Sequence, residues 1–319
     1  MAVELTKEVA KVVSEFLLKE ELTGEGLLNQ IGEVRTGVLN GDRIYLSTES
    51  EIQGAVKGSC SPTYTSPDLY GAKEVSGITA CQIAREWCAD DIEDELKRNE
   101  NVMSLDENEA VVATIKNKVG KTFANSVATL GFFADPTSSN SALNFGPLGI
   151  FPQMTDIVAT ATTQYVDYSI TSGASDALIT MDEQAKEELT TAEDSYVLMN
   201  KAFFNALRRE CIAQKWELQS AKDEFFKGLE VYEVLGFKVV VAPFLDKAMK
   251  MADNVLAGKK EVALLTTKSN LRIVTSEDKF GDTVNVTLST EEKSGKIFVK
   301  IDWAQSSAIV EDDMFVICY

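Results

Sequence analysis

The sequence predicts an α+β fold, and three stretches carry that prediction. A helical pattern of unusual length runs from about residue 106 to 133, β-type runs dominate roughly the last hundred residues, and an extended excursion rich in Gly, Ser, Thr and Pro interrupts the first quarter. With 319 residues, 45% of them hydrophobic, the chain can bury a sizeable core as one large domain or two coupled ones. No internal repeat, sustained heptad or low-complexity linker divides it, so its parts are expected to pack together.

In chain order, Leu5, Val9, Val12, Val13, Phe16 and Leu17 fall at helical spacing with Lys7, Lys11, Ser14 and Glu15 between them, which predicts an amphipathic helix ended by Gly24 and Gly26. From Glu33 to Lys73 the texture becomes β-type. The runs VRTGVL and DRIYLS flank Asn40-Gly41, a signal for a tight hairpin or for a bulge within one longer arm. QGAVKGSCSPTYTSPDLYG follows, and the whole reads as an extended two-stranded excursion with a flexible tip. Ile78 to Trp87 suits strand or helix; it is read as strand, followed by a helix over Ala89 to Lys97 with an acidic first turn.

Ser104 with Glu107 fits a capping box, and Val112, Ile115, Val119, Phe123, Val127 and Leu130 step by three or four behind it. A helix from about Asp106 to Phe133 would be roughly 40 Å long at a rise of 1.5 Å per residue, long enough to be the spine of a domain. FGPLGIFPQ, Phe145 to Gln153, carries two of the six prolines directly after a Ser/Asn-rich strip and predicts a rigid turn. Beyond it come β-type runs near Val158 to Ile170, a helix around Asp182 to Leu189, the strand SYVLMN and a helix from Lys201 to about Lys215. The last part is read as the strands LEVYEVLG, FKVVVAP, EVALLTT, LRIVTSE, DTVNVTLST, GKIFVKIDWAQSSAIV and DDMFVICY, with one short helix near Leu245 to Asn254.

Composition excludes several functions. Fifty acidic against 31 basic residues leave a net charge of -19, which repels a phosphate backbone and argues against general nucleic-acid binding. With no histidine there is no Ser/His/Asp triad, no Cys/His pair and no HExxH zinc site. No run of eighteen apolar residues and no signal-peptide pattern is present, so a soluble protein synthesised in the cytoplasm is expected. Cys60, Cys81, Cys88, Cys211 and Cys318 form no CxxC pair and suit reduced thiols.

Residue by residue, no catalytic constellation emerges. Gly120-Lys121-Thr122 resembles the end of a phosphate-binding loop, but Ile115 stands where that loop needs glycine and the tripeptide sits inside the spine pattern. Asp90, Asp91, Glu93, Asp94 and Glu95 point different ways around a helix and are expected in a first turn. Glu277, Asp278 and Asp282 lack the alternating ligands of a calcium loop and read as a polar turn. Cys81 and Cys88 share a face only if their segment is helical, and fall short of a zinc set. Catalytic, cofactor and metal residues are therefore assigned to none, and the chain is expected not to be an enzyme.

The order of parts resembles the major capsid protein of tailed bacteriophages, the Hong Kong 97-like fold, over nearly the whole chain. In that family the spine helix is often followed by a polar strip and a PLGI-like turn, here Pro147, Leu148, Gly149 and Ile150. SYVLMNKAFFNAL, VLGFKVVVAP and EVALLTTKSNLRI add further likeness. The resemblance implies an N-terminal arm over 1–32, an extended β-hairpin E-loop over 33–74, and a peripheral domain with the spine over 75–153. An axial α+β domain over 154–242 and return strands over 243–319 complete it.

It further implies a homo-oligomeric icosahedral shell of pentamers and hexamers, a virion protein assembled in the host cytoplasm, enclosing double-stranded DNA without sequence-specific binding. Separate scaffolding, portal and decoration proteins are possible partners, and no membrane is. Assembly contacts are placed at Ile52, Lys57, Tyr64, Leu69 and Tyr70 of the loop. Two alternatives stay open: an encapsulin-like compartment shell, which shares the fold, and a histidine-free metal-dependent enzyme using the acidic helix.

Overall fold

The computed structural model describes residues 7–22, 27–39, 42–47, 70–74, 77–88, 107–221, 230–251, 253–276, 283–291 and 296–319. Helix α1 (Lys7–Phe16) runs on through a π-helical turn, Leu17–Leu22, and is followed by α2 (Leu27–Ile31), β1 (Glu33–Arg35), β2 (Arg43–Ser47), β3 (Tyr70–Glu74) and β4 (Thr79–Cys88). The spine is α3 (Glu107–Phe133), followed by α4 (Ile150–Val158), β5 (Tyr165–Val166), α5 (Ala174–Gln184), α6 (Glu187–Thr191), β6 (Ser195–Met199) and α7 (Lys201–Gln214). Strands β7 (Gln219–Ala221), β8 (Glu230–Val234) and β9 (Phe237–Val241) lead to α8 (Pro243–Ala248). The chain closes with β10 (Ala263–Thr267), β11 (Leu271–Ser276), β12 (Val284–Glu291), β13 (Lys296–Ile309) and β14 (Phe315–Cys318).

The first sheet is organised by β13. β4 pairs along one edge of it, from Lys296 opposite Cys88 to Gln305 opposite Thr79. β12 and β11 lie end to end along the other edge, and β1 adds to β11 in parallel. Alternation along β13 turns Val299, Ile301 and Trp303 toward the spine. There they meet Val119, Phe123 and Val127, with Phe123 edge-on to Trp303 at 5.2 Å between ring centroids. The apolar stripe of the spine is thus buried against the sheet as its spacing predicts, with Leu130 half-buried at its margin; the side chains of Val112 and Ile115 lie outside the described residues. Val13 and Leu17 of the N-terminal helix complete this core.

The second sheet has seven strands in the order β5-β14-β10-β6-β9-β8-β7. It separates two cores, because alternate residues leave opposite faces. Tyr196, Leu198, Val240, Leu264, Phe315 and Ile317 join the spine's core. Val197, Met199, Val239, Val241, Leu265 and Val316 pack under α5 and α7 around Leu178, Phe203 and Leu207. This two-sided burial explains why β10 reads as a continuous buried run.

Several expectations need correction. β1 pairs with β11 and β2 pairs with β3, so the segments flanking Asn40-Gly41 do not form a hairpin with each other. β1 instead adds to the first sheet, Glu33 opposite Arg272 through Arg35 opposite Val274, with Glu33 and Arg272 ion-paired at 2.6 Å. Only Tyr165–Val166 is strand within the β-type stretch from Val158 to Ile170: α4 runs through Val158, Thr162–Gln164 is a 3-10 turn, and after Val166 the Asp167 carboxylate accepts from the Ser169 N–H at 2.9 Å and turns the chain into another.

The helix placed around Asp182 to Leu189 is instead two helices, α5 starting eight residues earlier and α6 after a break at Ala185 and Lys186. In FGPLGIFPQ the last four residues open α4, with Pro152 in its first turn where no intrahelical donor is needed. The short helix near Leu245 begins at Pro243 and ends at Ala248. The stretch read as strand over residues 78–87 is strand over Thr79–Cys88, and the helix expected over Ala89 to Lys97 lies outside the described residues, as does the Ser104 cap.

Candidate assembly surfaces

The excursion after β1 leaves the body of the protein at a fixed point. The Val38 N–H donates to the Thr275 carbonyl at 3.2 Å, the Leu39 N–H donates to the Asp42 carboxylate at 2.8 Å and the Asp42 N–H returns to the Leu39 carbonyl at 3.0 Å. From there β2 and β3 form a two-stranded antiparallel ladder, Arg43 opposite Glu74 through Ser47 opposite Tyr70. Among the described residues this ladder joins neither large sheet. An isolated two-stranded ribbon is marginal in water, and its outer edges present unpaired backbone groups. Of the loop residues singled out for assembly, Tyr70 opens β3; Ile52, Lys57, Tyr64 and Leu69 lie outside the described residues.

The turn after the spine is built by close approach. Gly149 caps α4 from extended backbone, and its N–H donates to the Ala134 carbonyl at 2.7 Å. A Cβ there would lie 2.6–2.7 Å from backbone atoms of Phe132, Phe133 and Ala134, so only glycine lets the two segments cross. The Gln153 amide donates to the Leu148 carbonyl at 2.6 Å and to the Ser307 carbonyl at 2.9 Å, tying the turn to β13. The Ser/Asn strip before it is also held: the Ser138 hydroxyl donates to the Asp253 carbonyl at 2.8 Å and the Ser139 N–H to its carboxylate. Those hydrogen bonds, chiefly from Ser139, lower the Asp253 pKa below the usual aspartate value.

Two further contacts position the region under the second sheet, one between distant helices and one local. The Glu210 carboxylate of α7 accepts from the Ala174 and Ser175 N–H groups at 2.7 Å each, capping α5 from a distant helix. Buried Asn200 accepts from the Phe203 N–H at 3.0 Å, capping α7 in the local manner that SYVLMN announces, and also holds Val262 and Lys260. Beside them, Ile170 is 81% and Ile212 70% exposed, the two most exposed large apolar side chains among the described residues.

Chemistry has no evident centre here. Burial raises the Cys81 thiol far above its usual range and the Cys318 thiol to about 12, and it raises the Tyr196 phenol, so these groups stay protonated. Cys81, Cys211 and Cys318 are free and buried. The segment from Cys81 to Cys88 is strand, so the helical arrangement under which the two would share a face does not form. Gly120-Lys121-Thr122 lies within α3 and so forms no phosphate loop. The acidic runs at 90–95 and 277–282 are outside the described residues; among those described, no group of three His, Cys, Asp or Glu is placed to hold a metal ion. Nor, among them, is any helix long and apolar enough to cross a membrane.

No protein-family model matches the sequence, and no curated protein matches it. Solved structures do. A chain of the satellite phage P4 procapsid that includes the size determination (Sid) protein is 9% identical, with 98% of each chain covered and a TM-score of 0.58. The capsid of an empty GTA particle is 12% identical over 94% of this chain and 91% of its own, with a TM-score of 0.52. Mycobacterium phage Ogopogo is 11% identical over 92% and 91%, with a TM-score of 0.51. Similarity of the path over nearly the full length, at identities this low, is a statement about architecture: the chain has the α+β Hong Kong 97-like fold.

Proposed function

We propose that this protein is the major capsid subunit of a tailed phage, assembling with itself into the icosahedral shell around a double-stranded DNA genome. The observation that carries the reading is the likeness of fold to capsid chains over nearly the whole length, together with a β2–β3 ribbon that, among the described residues, joins neither large sheet. The exposed edges of a two-stranded ribbon are satisfied when they are buried on a neighbour. In these terms residues 33–74 are the E-loop, 75–153 the peripheral domain built on the spine, 154–242 the axial domain, and 243–319 the returning strands. Ile52, Lys57, Tyr64, Leu69 and Tyr70 are the contacts that the loop would bring to a neighbour.

The excess of 50 acidic over 31 basic residues suits a wall that must not bind the DNA moved past it. Scaffolding, portal and decoration proteins would be separate chains, and assembly would take place in the host cytoplasm. The test is deletion of Ile52–Leu69, closed by a short Gly-rich turn. Electron microscopy should show shells for the unmodified chain and none for the deletion, while circular dichroism shows an unchanged fold. Normal shells from the deletion variant would remove the loop from assembly. Particle contents separate the phage reading from an encapsulin-like one: nuclease-resistant DNA supports the first, a dedicated protein cargo the second.

A further inference from the structure

On the spine-facing side of β4 the alternation runs Cys81, Ile83, Arg85, opposite Trp303, Ile301 and Val299 of β13. The first two side chains pack into or against the core, whereas Arg85 is exposed. Between this strand, the middle of α3, the Ser/Asn strip and the end of α8 lies an open groove of about 590 Å³. Cys81, Leu130 and Trp303 give it an apolar floor, and Arg85 and Lys247 are its cations. Neither is ion-paired among the described residues, and no carboxylate belongs to the described residues that line the groove.

The sign of this groove is opposite to that of the chain as a whole, whose net charge is -19. Copies of so acidic a protein repel one another unless a local surface reverses the field. We propose that the groove receives an acidic, partly apolar stretch of a second copy of this chain, its carboxylates meeting Arg85 and Lys247 and an apolar side chain resting on Leu130 and Trp303. This rests on the shell-subunit reading and assigns one of its contacts. Both cations are exposed, so the charge contribution is screened by salt while the apolar floor is not.

The test uses the full chain with a photoreactive benzoylphenylalanine in place of exposed Ser141, which lines the same groove. Nitrogen-15-labelled and unlabelled copies are mixed, assembled and irradiated. The expected product joins a labelled to an unlabelled copy through a peptide holding at least two Asp or Glu residues. Cross-links confined to one copy, including those onto residues 89–106, overturn the proposal, as does a partner peptide without carboxylates.

In parallel, the double variant Arg85→Glu with Lys247→Glu should lower the assembled fraction at least fivefold at low salt, with circular dichroism and melting unchanged. The pair Arg85→Gln with Lys247→Gln should give a smaller loss, and decides the matter if the Glu pair fails to fold. Wild-type protein that forms no larger species overturns both this proposal and the shell reading. Variants that assemble as wild type does overturn the groove alone.

Discussion

Replacing Gly149 by alanine tests the claim that the end of the spine and the start of α4 cross at van der Waals contact. The new Cβ would meet the Phe132 carbonyl carbon at 2.6 Å and the Phe133 and Ala134 nitrogens at 2.7 Å, where ordinary contact begins at 3.4 Å. All three are backbone atoms of the spine's last residue pair and its exit, so no side chain can rotate away. Relief requires moving α4, which strains packing among buried Phe132, Phe133, Phe151 and Met154 and stretches the 2.7 Å bond from Gly149 to Ala134.

Overpacking of this kind costs about 1–3 kcal/mol and a weakened buried hydrogen bond about 1 kcal/mol more, so about 2–4 kcal/mol out of a total of roughly 5–15. With an m-value of about 3 kcal/mol/M, the urea midpoint of the isolated subunit, followed by circular dichroism, should fall by roughly 1 M. Gly146 is the control. Its added Cβ would lie 2.0 Å from the Thr79 hydroxyl and 2.8 Å from the Thr79 Cβ, but Gly146 is exposed and Thr79 half-buried at the start of β4, so relief takes a hydroxyl rotation and a small shift at the surface. Gly146→Ala should therefore lose less than Gly149→Ala. A Gly149→Ala protein within about 0.5 kcal/mol of wild type, the range of an ordinary surface change, would refute the reasoning.

Asn200→Ala removes a helix cap and leaves the buried Val262 N–H and Lys260 carbonyl without their partner, so it should destabilise by about 2–4 kcal/mol in the same urea assay. Leu235 and Gly236, at φ 53° and 85°, form the tight turn between β8 and β9, and leucine is a poor residue for that conformation. Leu235→Asn should raise the stability of the isolated subunit by about 0.5–1 kcal/mol, read as a higher melting temperature; a lower one would mean that the leucine packs on something.

Asp253, whose folded pKa is lowered by Ser139 and Ser138, contributes stability that is present above the ordinary value of 3.8 and lost as pH falls through the folded value. Asparagine tolerates the same φ of 56° and does not titrate, so the advantage of wild type over Asp253→Asn should shrink as the pH drops below about 4. A stability difference that stays constant across that range would contradict the assignment.

Much of the fold is legible in the sequence because its burial pattern is local. The stripe through Val119, Phe123 and Val127 recurs every four residues, so the spine needs no partner to be recognised, and it spans Glu107–Phe133. The strands from β8 to β14 announce themselves through β-branched runs and turn residues, and Asn200 and Pro243 mark the starts of their helices. What the sequence could not locate is the groove beside the spine, because its lining comes from segments far apart in the chain. Lys247 and Arg85 are distant in the chain and meet only where β4, the spine and α8 come together.

The sequence by itself determined the α+β class, the long helix, the late strands and the chemistry that a histidine-free acidic chain excludes. Tertiary structure alone decided that β1 takes β11 over β2, giving it a place in the first sheet with Glu33 ion-paired to Arg272. It alone decided that α5 begins at Ala174, because its cap is Glu210 on another helix rather than a residue next to it in the chain. Gly149 belongs to both accounts: its place beside Pro147 shows that a turn is coming, and the reason it must lack a Cβ is the backbone of the spine lying against it. Periodicity is a property of neighbours along the chain, whereas pairing, distant capping and close approach depend on which surfaces folding brings together.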